Sequence, residues 1–230
     1  MNQSSNPVVN NQEPTVIGII GGIASGKSQV TTMLAEMGAR IISADSIAHD
    51  VLRLPDIIES LVKAFGHGIL TDASMDTSTG VRTIDRKKLG AIVFGSNEAT
   101  LTQRKMLESI VHPRIRQIAR SQLELVKLQA DCYYIVLDAP LLVEGGWLPY
   151  CDRIIYVDTP NEVRLQRAKA RGWSELEWQN RESAQLSLDQ KRKCSTDVLP
   201  NKSSLDQLKQ DLLRILDSWR DKTFAKLFMD

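Results

Sequence analysis

The chain has 230 residues, 42% apolar and 25% charged, the usage of an ordinary globular protein that closes its core without disulfides or a metal staple. Lys and Arg number 29 against 28 acids, a net charge of +1, so no global positive field marks nucleic acid as a partner. Cys132, Cys151 and Cys194 form no CxxC pair, which with three histidines speaks against a disulfide framework or a zinc site, and no apolar run reaches the ~18 residues of a membrane span.

Met1–Pro14 is rich in Asn, Gln and Ser and lacks both the basic start and the apolar stretch of a signal peptide. It is expected to be a disordered tail (1–14) on a cytoplasmic protein. Thr15–Ile20 is a continuous β-branched run, as expected of a strand buried on both faces of a parallel sheet. A helix follows over Ser28–Met37, closed by Gly38, and then a second strand over Ala39–Ile42. The long stretch after it carries helical periodicity, in Leu101–Ile110 and Pro113–Leu128, interrupted by loops over Gly66–Gly80. Tyr133–Leu137 runs into Asp138 and Arg153–Val157 into Asp158, giving two more strands, and Asp197–Leu199 supplies a fifth at the edge. Asn161–Arg171 and Glu175–Leu188 read as two basic-flecked helices, and Ser204–Trp219 as a last amphipathic one. The pattern predicts an α/β fold of three layers around a parallel sheet of about five strands. Its core would be residues 15–45, 131–165 and 189–230, with a helical insertion over 46–130 and a small helical lid over 166–188.

The strongest motif is Gly21-Gly22-Ile23-Ala24-Ser25-Gly26-Lys27-Ser28, which fits G-x-x-x-x-G-K-[ST] in full and sits between a buried strand and a helix. Glycines let successive backbone amides converge on a β-phosphate, and the helix points its positive end at the same anion. Lys27 is expected to reach the β- and γ-phosphates and the Ser28 hydroxyl to ligate Mg²⁺, so ATP and Mg²⁺ are the expected cofactors. Gly21, Gly22, Ala24, Ser25, Gly26, Lys27, Ser28 and Gln29 are the nucleotide-binding positions. A GTPase would carry N-K-x-D, but Asn201-Lys202 continues into Ser203-Ser204. A motor-type ATPase would want a larger core or an oligomer scaffold, and the helical insertion and the basic helices after the fourth strand favour a small-molecule kinase.

Further segments follow in order: S-A-D at Ser43–Asp45, I-D-R-K-K-L at Ile84–Leu89, V-F at Val93-Phe94, V-H-P at Val111–Pro113 and P-L-L-V-E at Pro140–Glu144. Gln166, Arg167, Arg171, Arg181, Gln185, Lys191 and Asn201 keep a matching spacing behind them. From Val16 to Trp219 the set resembles the dephospho-CoA kinase family, P-loop kinases of the last step of coenzyme A synthesis. The resemblance implies transfer of the ATP γ-phosphate to the ribose 3′-hydroxyl of dephospho-CoA. It also implies a small-molecule acceptor, no nucleic acid or membrane partner, and a monomer or weak homo-oligomer. The alternatives are another nucleoside or nucleotide kinase on the same scaffold, or a non-catalytic nucleotide-binding regulator. Two positions depart from the family: Ala24 stands where many members have Gly, a change that suits a negative φ, and Thr196 stands where Asp is usual, with Asp197 one place later.

Asp45 lies just past the second strand, at the carboxyl end where parallel strands meet their ligands. By position it is either an acceptor for a hydroxyl proton or the N-cap of a helix starting near Ser46. The resemblance implies the catalytic role, shared with Lys27 and Arg181. Asp138 is either a Walker-B acid or a turn carboxylate. Arg167, Arg171 and Arg181 fall on the lid helices, where arginines otherwise line solvated faces. The resemblance makes Arg167 and Arg181 phosphate contacts and puts Asn201 on the nucleotide side. It assigns Arg86, His112, Pro140, Leu141 and Glu144 to the acceptor, although His112 before Pro113 reads as a local structural element. Trp147, Trp173, Trp178 and Trp219 are expected in packing.

Overall fold

The computed structural model describes residues 13–71, 83–95, 97–129, 132–139 and 141–227. Most of the expected tail and Pro140 lie outside the described residues. Five strands, β1 (Thr15–Gly21), β2 (Arg40–Ser43), β3 (Tyr134–Asp138), β4 (Arg153–Asp158) and β5 (Asp197–Pro200), form one sheet in the order β2-β3-β1-β4-β5. β1 pairs in parallel with β3 (Thr15 opposite Tyr134) and with β4 (Ile17 opposite Arg153), and β4 pairs in parallel with β5. The central strand buries Val16, Ile17, Ile19 and Ile20 on both faces, which is why its sequence shows no alternation. β5 is an edge strand, as expected, and its Pro200 can lack an N–H there.

The chain divides into two compact units, Met1–Ile42 with Leu125–Asp230, and Ser43–Glu124. In the first, α1 (Lys27–Glu36) and α9 (Leu205–Leu227) pack on one sheet face. Val30, Met33 and Leu34 of α1 and Leu208, Leu212, Leu216 and Trp219 of α9 meet Ile17, Ile19, Val136, Ile155, Val157 and Leu199 in a single core. Between β4 and β5 come α6 (Asn161–Ala170), α7 (Glu175–Ser183) and α8 (Leu188–Lys193). The helix expected over 175–188 stops at Ser183, and a further helix, α8, begins at Leu188. Ser187 and Gln190 form a capping box that starts α8 afresh, the Ser187 hydroxyl accepting from the Gln190 N–H.

The second unit holds α2 (Ala44–Val51), α3 (Pro55–Phe65), α4 (Arg86–Val93) and most of α5 (Glu98–Gln129). The two helical stretches expected on either side of His112-Pro113 are one continuous helix with Pro113 inside it. An interior proline costs about 3 kcal/mol. The four-residue stripe Val111, Ile115, Ala119 and Leu123, all buried, offsets that cost by packing.

Thr196 and Asp197 fasten the start of β5, at the end of that strand away from Asn201. The Thr196 hydroxyl accepts from the Ile154 N–H at 3.0 Å and lies 2.6 Å from Asp197 Oδ2, and the Trp219 indole donates to the same carboxylate oxygen at 3.2 Å. The departure at Thr196 therefore bears on how β4, β5 and α9 are joined.

Leu212 is fully buried between α9 and the sheet. Leu212→Ala is expected to lower the unfolding free energy by about 3 kcal/mol, seen in urea as an earlier midpoint with an unchanged slope.

Candidate active site

The carboxyl ends of four sheet strands deliver the site: β1 ends at Gly21, β3 at Asp138, β4 runs into Thr159 and β5 into Asn201. Residues 22–26 carry the chain from β1 into α1. Gly26 is the N-cap of α1 with φ 97° and no side-chain cap, and a Cβ there would stand 2.5 Å from Asn201 Nδ2. Only glycine meets both demands. With no side chain capping the helix, its first amides are left for an external acceptor.

The bend is gripped through one carbonyl. Ser25 O accepts from Thr159 Oγ1 at 2.7 Å, from Asn201 Nδ2 at 2.7 Å and from Arg167 Nη1 at 3.3 Å. Ser25 is wholly buried, and its own Oγ has no hydrogen-bond partner among the described residues. An orphan hydroxyl beside uncapped amides fits a polyphosphate, which brings acceptors for the N–H groups and for the O–H.

Ala24 differs from expectation. Its φ is 62°, in the left-handed region, where a Cβ costs roughly 1–2 kcal/mol. The methyl is buried with Ala168 and Trp178, against partly buried Ile23, Leu165 and Trp173, and that contact returns about 1 kcal/mol. Packing on α6 and α7 thus holds a strained alanine where glycine would sit unstrained.

Lys27 folds back over the bend and donates to Gly21 O at 3.1 Å and Gly22 O at 3.0 Å. Burial first, then the Lys191 ammonium, pull its pKa from 10.5 down to about 8, while Asp138 and Glu144 act the other way. The folded chain therefore binds fewer protons than the unfolded one between about pH 8 and 10.5, and the buried ammonium opposes folding below that window. Glu144 accepts from the Leu186 N–H at 3.0 Å and pairs with Lys191 at 3.2 Å. Burial works to raise its carboxyl, but backbone N–H donors and Lys191 outweigh that and hold it below the usual carboxylate range.

Arg164, 2% exposed, sits against Gly22, where a Cβ would come 2.4 Å from its Nη1. Its Nε donates to Thr159 O at 3.2 Å, Nη2 donates to Asn161 Oδ1 at 2.7 Å, and Nη1 is ion-paired with Glu182 of α7. Thr159, Arg164 and Lys191 received no role from the sequence, although Lys191 was matched by spacing. Thr159 follows a strand directly, the same signal that singled out Asp45 and Asp138.

The remaining expected residues are placed as follows. Ser28 and Gln29 are exposed in the first turn of α1, and Asp138 is exposed at the end of β3. Arg181 on α7 is half exposed, pairs with Glu177 at 2.8 Å and lies 4.3 Å from the Trp173 ring centroid. Leu141 is half-buried in the turn after β3. In the second unit, Asp45 is exposed in the first turn of α2, and Ser43 rather than Asp45 caps that helix, accepting from the Ser46 N–H at 3.3 Å. Arg86 is exposed at the start of α4. His112 is half-buried in α5, where burial, ahead of Arg116 and Arg104, lowers its pKa.

A family model described as dephospho-CoA kinase matches residues 15–207. A dephospho-CoA kinase of Carboxydothermus hydrogenoformans is 39% identical over 214 residues, covering 92% of this chain and 97% of the relative. One of Geobacillus kaustophilus is 38% identical over 88% of this chain and 96% of the relative. The solved structure of dephospho-CoA kinase from Campylobacter jejuni superposes with a TM-score of 0.66 at 27% identity, over 90% of this chain and 98% of that one.

A triphosphate beside Lys27 raises its pKa again, so binding near pH 8 should take up about half a proton per site, falling toward zero by pH 6. Calorimetry of ATP binding in buffers of different ionisation enthalpy measures this. Lys27→Met should abolish the Lys27 share of the uptake.

Proposed function

The chain belongs to the dephospho-CoA kinase family, and from that premise we propose which of its side chains carry the reaction. It is an enzyme that transfers the γ-phosphate of ATP to the ribose 3′-hydroxyl of dephospho-CoA, giving ADP and coenzyme A. The observation that supports our assignment best is the bend at residues 22–26, with its uncapped amides, its orphan Ser25 hydroxyl and Lys27 folded across it. Phosphoryl transfer needs little covalent help from protein. It needs position and positive charge around the equatorial oxygens.

In this reading residues 21–29 hold the triphosphate, with Lys27 leaving the Gly21 and Gly22 carbonyls for the β- and γ-phosphates. Arg167 and Asn201 hold the bend from outside through Ser25 O. Mg²⁺ would be held by the Ser28 hydroxyl, with Asp138, whose charge acts on Lys27, as the nearby carboxylate that would support it. When bound, the ion would supply positive charge against the phosphates. Asp45 accepts or orients the acceptor's 3′-hydroxyl proton, since Ser43 has taken the capping duty that would otherwise explain it. Arg86, His112, Pro140, Leu141 and Glu144 belong to the acceptor side.

Arg181 stabilises the transferring group once it leaves Glu177 and Trp173. That exchange costs little, because an exposed i,i+4 pair contributes only about 0.3–0.5 kcal/mol and an exposed cation–π contact about 0.5–1 kcal/mol. We place the enzyme in the cytoplasm, where Cys132, Cys151 and Cys194 stay reduced, as a monomer or weak homo-oligomer. Among the described residues no helix is long and apolar enough to cross a membrane.

Incubation with dephospho-CoA, ATP and Mg²⁺ should yield coenzyme A by mass detection, and phosphorylation of a nucleoside monophosphate instead would end the assignment. Asp45→Asn should lower kcat by about 100-fold or more while the dissociation constant for ATP stays within about threefold. Near-normal turnover in that variant would remove Asp45 from the chemistry.

A further inference from the structure

Lys191 on α8 has a side chain only 4% exposed, its ammonium 3.2 Å from Glu144 Oε1 and 2.6 Å from Gln185 Oε1. A lysine stem is built to keep its charge in water, so a buried ammonium calls for an anion. Lys191 also lines the same narrow recess as Gly21, Lys27, Leu142 and Glu144. Two ammonium groups thus share one recess whose described lining holds one carboxylate, Glu144, while Asp138 also acts on Lys27 from nearby. Like charges held together away from water are tolerated when a further anion joins them, and the neighbouring bend is formed to receive one. The same Glu144 oxygen, Oε1, also accepts from the Leu186 N–H, which keeps the carboxylate in place when Lys191 moves off.

We infer that Lys191 is a second phosphate-contacting cation of this site, exchanging the Glu144 carboxylate for an oxygen of the transferring phosphoryl group when the triphosphate binds. The inference rests on the reading of residues 21–29 as the ATP cradle. No bond of Lys191 is made or broken and no proton moves. One ion pair replaces another, and two ammonium groups then share the charge that spreads over the phosphoryl oxygens. The lowering of the Lys27 pKa by Lys191 is consistent with their closeness. The competing account is a staple, in which Lys191 only ties α8 to the turn after β3 through Glu144.

The test compares Lys191→Met, Lys191→Arg and Glu144→Gln in the full chain. It reads the dissociation constant of a non-hydrolysable ATP analogue with magnesium, kcat with dephospho-CoA, and the thermal midpoint. The inference predicts that Lys191→Met binds the analogue about tenfold more weakly and loses about 100-fold in kcat. Lys191→Arg should recover most of the binding. Glu144→Gln should bind the analogue more tightly than the wild type, because the competing carboxylate is gone and Lys191 is left seeking an anion. A staple predicts similar losses of thermal midpoint in Lys191→Met and Glu144→Gln with analogue affinity unchanged in both, and that result overturns the inference. Should Lys191→Met fail to fold, the sign for Glu144→Gln decides: tighter binding upholds the inference and equal or weaker binding overturns it. Wild-type protein that ignores the analogue would bring down the cradle reading and this inference with it, whereas wild-type binding with an unaffected Lys191→Met sinks this inference alone.

Discussion

The site depends on where one peptide group points. Ser25 O is turned into three donors, Thr159 Oγ1 after β4, Asn201 Nδ2 after β5 and Arg167 Nη1 on α6. A carbonyl so occupied cannot rotate without leaving buried donors unpaired, each at a cost of about 1–3 kcal/mol. The bend therefore keeps its shape with no anion present, and an arriving phosphate does not have to reorganise it. Preorganisation of this kind is what makes fixed dipoles effective in phosphoryl transfer. The sheet order explains how three distant stretches of sequence reach one oxygen: β4 neighbours β1, β5 neighbours β4, and all run parallel, so their carboxyl ends open on the same side.

A second constraint is charge. Lys27, Arg164 and Lys191 gather at or beside the bend, and the last two carry carboxylate partners, Glu182 and Glu144. The Arg164 pair differs in kind from the exposed pairs on α6 and α7. Arg164 is almost wholly buried, also packs 5.3 Å from the Trp178 ring centroid, and is satisfied by Thr159 O and Asn161. Breaking a buried pair from one side costs several kcal/mol, whereas Arg181–Glu177 costs a few tenths. Hence α7 is anchored at Glu182, while its neighbour Arg181 is held only by an exposed pair and a ring contact.

Much of this was legible before any coordinates. All five strands stand within a residue or so of their sequence positions, and for β1, β3 and β4 the reason is that apolar runs buried on both faces admit few other readings. The bend between β1 and α1 was legible from spacing alone, since its glycines mark where the strand must turn into the helix. What escaped was set by tertiary contacts. Pro113 does not end α5, because the stripe from Val111 to Leu123 outweighs the local cost. Ala24 adopts a positive φ because its methyl has a packed site among Ala168 and Trp178. The helix expected over 175–188 stops at Ser183, although the start signal of the next one, Ser187 three residues ahead of Gln190, stands in the sequence. Thr159 carries only the weak signal of following a strand, and Arg164 carries none, since its role exists only once the bend after β1 lies against α6.

The central claim is that the grip on Ser25 O shapes the cradle. Thr159→Val removes one of its donors with almost no change in side-chain shape, at a residue that is buried behind the bend. The measurement is the dissociation constant of ATP for the free variant, with dephospho-CoA affinity as the internal control. About fivefold weaker ATP binding with unchanged dephospho-CoA binding is the predicted result, the equivalent of one lost hydrogen bond of about 1 kcal/mol. A folded Thr159→Val protein that binds ATP as tightly as the wild type would contradict the account.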